Sequence, residues 1–485
     1  MASYEFGFDD FQNLGCHHLE DGKSVLVAAP TGAGKTIVGE FATFLAEKNG
    51  NRCFYTTPIK ALSNQKYQDL VKLYGDSEVG LLTGDSSINS EARIVVMTTE
   101  VLRNMIYAGS DAIDDLGYVV MDEVHYLADK FRGAVWEEIL IHLPERIQIV
   151  SLSATVSNAE EFGDWLKTVR GETEVVLSEI RPVPLYQHIL IGNRILDLFV
   201  DEGRVNPEIL RIEKNSIKKV PGGSKSWKES KFSSIKSLTR PEVVEKLSER
   251  GFLPAIFFIF SRAGCDGAVA SCIREGLSLT NSLEKEEIRR VIALKTHELP
   301  SEDFGVLGFH EWAQALERGI AAHHAGLLPM FKETIEELFQ RGLLKIVFAT
   351  ETLALGINMP ARSVVLEKLV KWNGESHVNV SPGEYTQLTG RAGRRGIDIE
   401  GNALILWNEQ MDSSIAAGLA STRTYPLRSS FSPTYNMSAN LISRFGHERA
   451  RKSLGFSFAQ FQADKAVVGL ARQIAKNEMA IKTLI

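Results

Sequence analysis

The chain has 485 residues, more than one hydrophobic core organises, so two or three domains are expected. Apolar residues make up 44% and charged residues 24%, the balance of a soluble globular protein. The net charge of -7 excludes a protein that coats nucleic acid by bulk attraction, so any polyanion site must be a local basic surface. Cys16, Cys53, Cys265 and Cys272 are scattered without a CxxC pair, which argues against a disulfide framework or zinc ribbon and for a reducing compartment. MASYEFGFDDFQ has no basic or apolar signal region, and no apolar run approaches membrane-spanning length, so a cytoplasmic protein with no membrane contact is expected.

Short apolar runs alternate with helix-length amphipathic stretches: SVLVAAP (24–30), RCFYTTP (52–58), RIVVMTT (93–99), GYVVMDE (117–123) and IQIVSLSAT (147–155). This rhythm predicts a parallel sheet buried on both faces by crossover helices. It recurs in AIFFIFSR (255–262), GIAAHHAG (319–326), LKIVFATET (344–352) and NALILWN (402–408), so two α/β domains are expected, roughly 1–180 and 181–425. The stretch 211–240, within an insertion spanning about 200–245, has nine Lys/Arg against two Glu and no apolar period, and reads as a flexible surface insertion, with a dedicated RNA-binding arm as the alternative. From about 426 the pattern turns helical and opens a third region, 426–485. Its last stretch, VVGLARQIAKNEMAIKTLI, stops mid-pattern without a C-cap signal, as a chain cut short would.

Three stretches carry chemistry. In AAPTGAGKT (28–36), an apolar strand leads into a Gly-rich loop and a helix, the P-loop arrangement with Ala29 in place of the first glycine. Pro30, Thr31, Gly32, Ala33 and Gly34 would cradle phosphates, Lys35 would hold the β- and γ-phosphates of ATP, and Thr36 would ligate Mg²⁺. In VVMDEVHYL (119–127), Asp122 at a strand end would complete the Mg²⁺ site, and Glu123 would orient and deprotonate the attacking water. A zinc site here lacks the paired histidines of HExxH, and His125 reads either as a γ-phosphate sensor or as a strand cap. In QLTGRAGRRG (387–396), Arg391 and Arg394 lie three apart, on one face if a helix starts there, as arginines aimed at one phosphate would.

APTGAGKT, TPIKALSNQ (57–65), TGD (83–85), TTEVLRNM (98–105), DEVH (122–125), SAT (153–155), ATETLALGINMPAR (349–362) and QLTGRAGRRG together resemble superfamily 2 DExH-box helicases, more narrowly the superkiller-like RNA helicases in their actinobacterial branch. The resemblance spans about 6–465. It implies two tandem RecA-like domains of α/β class clamping ATP, followed by the start of a winged helix and a helical region. By residue it implies that Phe6 stacks on the adenine and Gln12 reads its edge. Ser153 and Thr155 would couple hydrolysis to domain closure. Gly356 and Asn358 would approach the nucleotide from the second domain, with Gln387, Arg391 and Arg394 completing the site. Contacts to a nucleic-acid strand are implied for Pro58, Thr99, Glu100, Arg103, Ser261, Arg262, Thr350 and Thr352. The family's ratchet domain has no counterpart in these residues, so ATP hydrolysis is implied and processive unwinding by this chain alone is not.

Between the last two motifs, SVVLEKLVKW (363–372) and HVNVS (377–381) flank Asn373-Gly374, which favours a tight type I′ hairpin turn. The resemblance implies a strand-separating hairpin at this point, with Trp372 able to stack on a terminal base pair. The leading expectation is an ATP-driven 3′-to-5′ helicase on single-stranded RNA, in RNA processing or decay and working with a nuclease partner. A DNA helicase and a nucleotide-gated RNA clamp are the alternatives. The clamp requires loss of the catalytic glutamate or arginines, and Glu123, Arg391 and Arg394 are present.

Overall fold

The computed structural model describes residues 7–201, 203–217, 235, 237–353, 359, 361–373, 375–408, 411–422 and 424–465. The chain divides into two compact units, residues 1–180 with 424–485, and residues 181–423.

In the first unit the apolar runs become strands β1 (Ser24–Ala28), β2 (Arg52–Thr57), β5 (Ile94–Thr98), β6 (Leu116–Met121) and β7 (Gln148–Ser153). They are joined by β3 (Val79–Leu82), β4 (Ser87–Ile88) and β8 (Thr173–Leu177). The sheet order is β4-β3-β5-β2-β6-β7-β1-β8, and β3–β4 is the antiparallel pair in it. Alternate residues of one strand feed opposite cores. Val25 and Val27 pack with Cys16, Leu19, Val38 and Phe41 of helices Asp10–Glu20 and Thr36–Asn49. Leu26 and Ala28 pack with Leu102, Trp136 and Phe162 of helices Thr99–Ala108, Ala134–His142 and Ala159–Arg170. A large apolar side chain buried this way contributes about 1.5–3 kcal/mol, which is why the central strands are apolar on both faces. The motif-bearing runs are legible for that reason. β4 is exposed and β8 half-exposed at the sheet edges, and both lack the continuous apolar signal.

The second unit holds β9 (Leu185–Ile191), β10 (Arg194–Asp197), β11 (Phe199–Asp201), β12 (Arg204–Val205), β13 (Ala255–Phe258), β14 (Ile320–His323), β15 (Ile346–Ala349), β16 (Ser363–Leu366), β17 (Val370–Trp372), β18 (His377–Asn379) and β19 (Gly401–Leu406). Its sheet runs β10-β9-β19-β16-β13-β15-β14, parallel except at β9–β10, and β11/β12 and β17/β18 are separate two-stranded ribbons. Two parallel-dominated sheets flanked by helices are the expected tandem RecA-like architecture. Among the described residues no helix is long and apolar enough to cross a membrane. The four cysteines are buried and unbridged.

Two readings of local sequence are corrected. SVVLEKLVKW is not one arm of a hairpin: its first four residues are β16, a fully buried strand paired with β13 and β19, and Val370–Trp372 alone reach the ribbon. The ribbon pairs Trp372 with His377 and the Asn373 N–H donates to Ser376 O at 3.1 Å, so Asn373 closes the ribbon instead of standing at the centre of an Asn-Gly turn, and its Oδ1 accepts from the Glu375 and Ser376 N–H groups. Gly374 lies outside the described residues. The basic stretch also begins inside a helix, Pro207–Ile217, with Ile209 in the core; residues 218–234 and 236 lie outside the described residues.

Residues 424–465 pack on the first unit. Tyr425 bridges Val156, Phe458 is buried against Phe162 and Trp165, and the helical segment Tyr435–Gly455 breaks at Gly446. VVGLARQIAKNEMAIKTLI lies outside the described residues. At the centre of this packing the Glu137 carboxylate accepts from Ser429 Oγ and, at 2.7 Å, from the Phe458 N–H. Burial pushes Glu137 from 4.5 up to about 7, against the downward pull of those hydrogen bonds. The fold thus favours the protonated form. Its contribution is complete below about pH 4.5, declines as pH rises, and is gone above about pH 7, a span worth on the order of 3 kcal/mol. Glu137→Gln removes the titration and keeps an acceptor. The melting temperature of this variant should therefore gain on that of the unsubstituted chain between pH 5 and pH 8, and a gap that does not move with pH refutes the assignment.

Candidate functional site

β6, β7 and β1 are neighbours, and each is followed by one of the motifs. Ala28 pairs with Ser153 and Met121 with Ser151, so the Gly-rich loop, Asp122–Glu123 and Ser153–Thr155 leave the sheet side by side at its carboxyl edge.

In the loop, Gly32 and Gly34 take φ of 81° and 88°, a backbone that side-chain-bearing residues adopt at a cost of about 1 kcal/mol or more. The loop through Pro30, Thr31, Gly32, Ala33 and Gly34 then enters helix Thr36–Asn49, whose first turn has no acidic residue and no side-chain cap. Backbone N–H groups at such an end favour an anion. Ala29 is fully buried and donates its N–H to Ser153 O at 3.2 Å, so its methyl group lies in the core and leaves the loop turn to Gly32 and Gly34. Lys35 is buried, with Nζ donating to Ala29 O at 3.2 Å. Gln12 is also buried: Nε2 donates to Gly34 O at 2.9 Å and Oε1 accepts the Asp9 N–H at 2.8 Å, so its amide is braced on the loop itself. Phe6 lies outside the described residues.

Asp122 is buried at the end of β6. Tyr55 donates its hydroxyl to Oδ2 at 3.1 Å, and Oδ1 accepts the Glu123 N–H at 2.9 Å. Burial, reinforced by the Glu123 carboxylate, pushes Asp122 up to about 6, while Lys66, Lys35 and Tyr55 draw it down. Lys66 in turn pairs with Glu40 at 3.2 Å and lies 5.4 Å from the Tyr55 ring. Tyr55, Lys66 and Glu40 went unread in the sequence, because the β2–β6 pairing brings Tyr55 to Asp122, and Lys66 and Glu40 come from helices Lys60–Tyr74 and Thr36–Asn49. A hydroxyl from Thr36 and a carboxylate from Asp122 are hard oxygen donors, suited to Mg²⁺ carried in with phosphates.

Glu123 has a left-handed backbone, φ 52°, which turns the chain sharply after Asp122. Its Oε2 lies 3.4 Å from His125 Nδ1. This is not an ion pair: Nδ1 accepts the Ala154 N–H at 3.3 Å, and burial, with Lys35 adding to it, lowers His125 to about 3, so the ring is neutral. His125 therefore ties the DEVH turn to the Ser153–Thr155 turn, a role beyond capping a strand. Ser153 Oγ is buried with no partner among the described residues.

In the second unit Gln387 lies on helix Pro382–Thr389. The condition under which Arg391 and Arg394 would share a helix face, a helix starting there, is not met. The helix starts at the Ser381 cap and ends at Gly390, so Arg391 and Arg394 follow its carboxyl end. The turn beyond is stitched to Ala361, whose N–H donates to Arg391 O at 2.9 Å and whose O accepts the Gly393 N–H at 2.7 Å, with Gly393 at φ 83°. Arg394 is gripped by Asp398, Nε donating to Oδ2 at 2.7 Å and Nη2 to Oδ1 at 2.8 Å. Gly356 and Asn358 lie outside the described residues.

The implied strand contacts divide into two groups. Thr99 is fully buried and its hydroxyl donates to Thr57 O at 3.0 Å; Ser261 Oγ caps helix Arg262–Arg274 by accepting the Gly264 N–H at 2.9 Å. Both hydroxyls serve local structure. Pro58 is buried and its O accepts from Arg132. Arg262, Thr352 and Trp372 are exposed, Glu100 and Arg103 are half-buried at the start of helix Thr99–Ala108, and Thr350 shares a 2.9 Å hydroxyl contact with Thr352.

Comparison with known proteins agrees with this geometry. Residues 9–162 match the DEAD/DEAH box helicase family, and residues 278–396 match the Helicase conserved C-terminal domain. Probable helicase HelY of Mycobacterium tuberculosis is 56% identical over 98% of this chain and 54% of its own length. Superkiller complex protein 2 of Mus musculus is 40% identical over 96% of this chain and 38% of its own. Exosome RNA helicase MTR4 of Homo sapiens is 38% identical over 98% of this chain and 46% of its own. The chain thus spans about half the length of the curated relatives it matches. With its motifs at the ends of adjacent strands and both helicase domains matched, the chain belongs to the DExH-box helicases of superfamily 2, in their superkiller-like branch.

Proposed function

We propose that this chain is the motor of an ATP-dependent RNA helicase that moves 3′ to 5′ along single-stranded RNA, in RNA processing or decay. The observation that carries the reading is the convergence of the Gly-rich loop, Asp122–Glu123 and Ser153–Thr155 at one sheet edge, joined through His125. Lys35 would hold the β- and γ-phosphates, and Thr36 and Asp122 would hold Mg²⁺, which would neutralise phosphate charge. Glu123 takes the proton of the attacking water as its oxygen bonds to the γ-phosphorus and the bond to the β-phosphate oxygen breaks. Gln387, Arg391 and Arg394 meet the charge that develops on the phosphoryl group. Arg103, Arg262, Thr350 and Thr352 grip the phosphates of a strand without reading its bases, as a translocating motor requires, and Trp372 stands at the hairpin that parts strands.

RNA as substrate is supported by a relative named as an exosome RNA helicase, and work within a larger assembly, with a nuclease as the proposed partner, by one named as a superkiller complex protein. The test is ATP hydrolysis with single-stranded RNA, single-stranded DNA or neither, over a salt series. RNA should stimulate more than DNA, with stimulation fading as salt screens the phosphate contacts. Equal stimulation by both strands refutes the RNA assignment and leaves a helicase of either nucleic acid.

A further inference from the structure

One cation in the second unit lies where three functional segments meet. Lys371, in the middle of β17, has a side chain only 14% exposed, with Nζ 2.5 Å from Glu351 Oε2 and 2.5 Å from Glu384 Oε1. Glu351 lies between Thr350 and Thr352, in the short turn Glu351–Leu353 that follows β15. Glu384 is in the first turn of helix Pro382–Thr389, three residues before Gln387, and that helix leads into Arg391 and Arg394.

Glu384 is not free to swing. Its Oε2 accepts the Ser381 N–H at 2.8 Å and the Ser381 hydroxyl at 2.7 Å, leaving Oε1 for Lys371, so turning away would uncap the helix. Lys371 is fixed from the other side by the ribbon, where it pairs with Val378. Burial alone would lower the Lys371 pKa, but the hydrogen bonds to its two carboxylates raise it, so the ammonium stays charged. An exposed ion pair is worth about 0–1 kcal/mol and transmits little. A half-sheltered cation shared by the capping Glu384 carboxylate and the Glu351 carboxylate instead joins the ribbon, the turn after Thr350 and the helix that precedes Arg391 and Arg394.

We propose that Lys371 is a positioning residue that couples strand contact at Thr350–Thr352 to the helix presenting Gln387 and leading to Arg391 and Arg394. This rests on the motor reading above. Nothing in the local sequence announces the joint, since the carboxylates lie 20 residues before and 13 residues after the lysine. Coupling between two sites requires a shared element that both of them bias, and the Lys371 joint is such an element.

The experiment measures ATP hydrolysis by this chain, with and without a homopolymeric single-stranded RNA, for the unsubstituted protein, Lys371→Met, Lys371→Arg and Glu351→Gln. For Lys371→Met and Glu351→Gln, the RNA-free rate, the KM for ATP and the melting temperature should hold, while the factor of RNA stimulation falls about fivefold or more, the lower end of ordinary coupling. Lys371→Arg should keep the stimulation. Stimulation that survives in Lys371→Met overturns the inference, as does a parallel fall of free and stimulated rates with the melting temperature, which marks a brace for stability only. If Lys371→Met does not fold, Glu351→Gln decides by the same criteria. Absence of RNA stimulation in the unsubstituted chain overturns the motor reading itself, and the inference with it.

Discussion

Replacing Lys35 with alanine is expected to abolish Mg-ATP binding, whereas replacing Glu123 with glutamine should preserve binding and cut turnover by about 10²–10⁴. The two residues share one sheet edge but act on different terms. In the proposed site Lys35 is a buried point charge beside the Gly-rich loop, and its loss also removes one of the cations holding the Asp122 pKa down. Alanine is therefore expected to weaken the proposed phosphate ligand and the proposed Mg²⁺ carboxylate together. Glutamine at 123 keeps the side-chain shape and the turn after Asp122 and loses only the base. A nucleotide-binding titration beside a single-turnover rate separates the cases. Equal loss of nucleotide affinity in both variants would rule out this division of roles.

The second large effect is expected at the arginines. Arg391→Ala or Arg394→Ala should lower kcat by about 10³–10⁵ with a much smaller change in ATP affinity, because a transition-state arginine acts on charge absent from the ground state. Asp398 takes the Nε edge of the Arg394 guanidinium, leaving both Nη1 hydrogens and one on Nη2 for a phosphoryl oxygen. The Asp398 side chain is only 6% exposed, so Arg394→Ala also strands a buried carboxylate and should cost stability. Arg394→Lys is the sharper probe: it keeps the charge, loses the two-point grip and should still lose most of kcat. Affinity falling as far as rate would make these arginines ground-state ligands.

Local sequence and tertiary structure contribute unequally to this protein. The P-loop, the DEVH box and the arginine motif are legible as sequence because each puts its chemistry on consecutive residues, so spacing alone states which groups act together. The motif-bearing strands are legible for a related reason: a strand buried on both faces is apolar along most of its length, as β1, β5 and β13 are, with Ser24 and Thr98 the polar residues at the strand ends. Local reading fails where the partner is distant or the pattern ambiguous. SVVLEKLVKW reads as one β-prone run, and only strand pairing divides it between the buried sheet and the exposed ribbon. Arg391 and Arg394 fit a helix start by spacing, yet the Ser381 cap sets the helix earlier and Gly390 ends it before them.

The sequence by itself determined the two-sheet α/β architecture and the helicase family, since these depend on periodicity and contiguous motifs. Tertiary structure alone decided which groups tune and join those motifs: Tyr55 and Lys66 at Asp122, His125 on the Ala154 N–H, Lys371 between Glu351 and Glu384, and residues 424–465 on the first unit. The physical reason is that hydrogen bonds and charge pairs act over a few ångströms of space, and strand order and helix packing set that spacing between residues far apart in the chain.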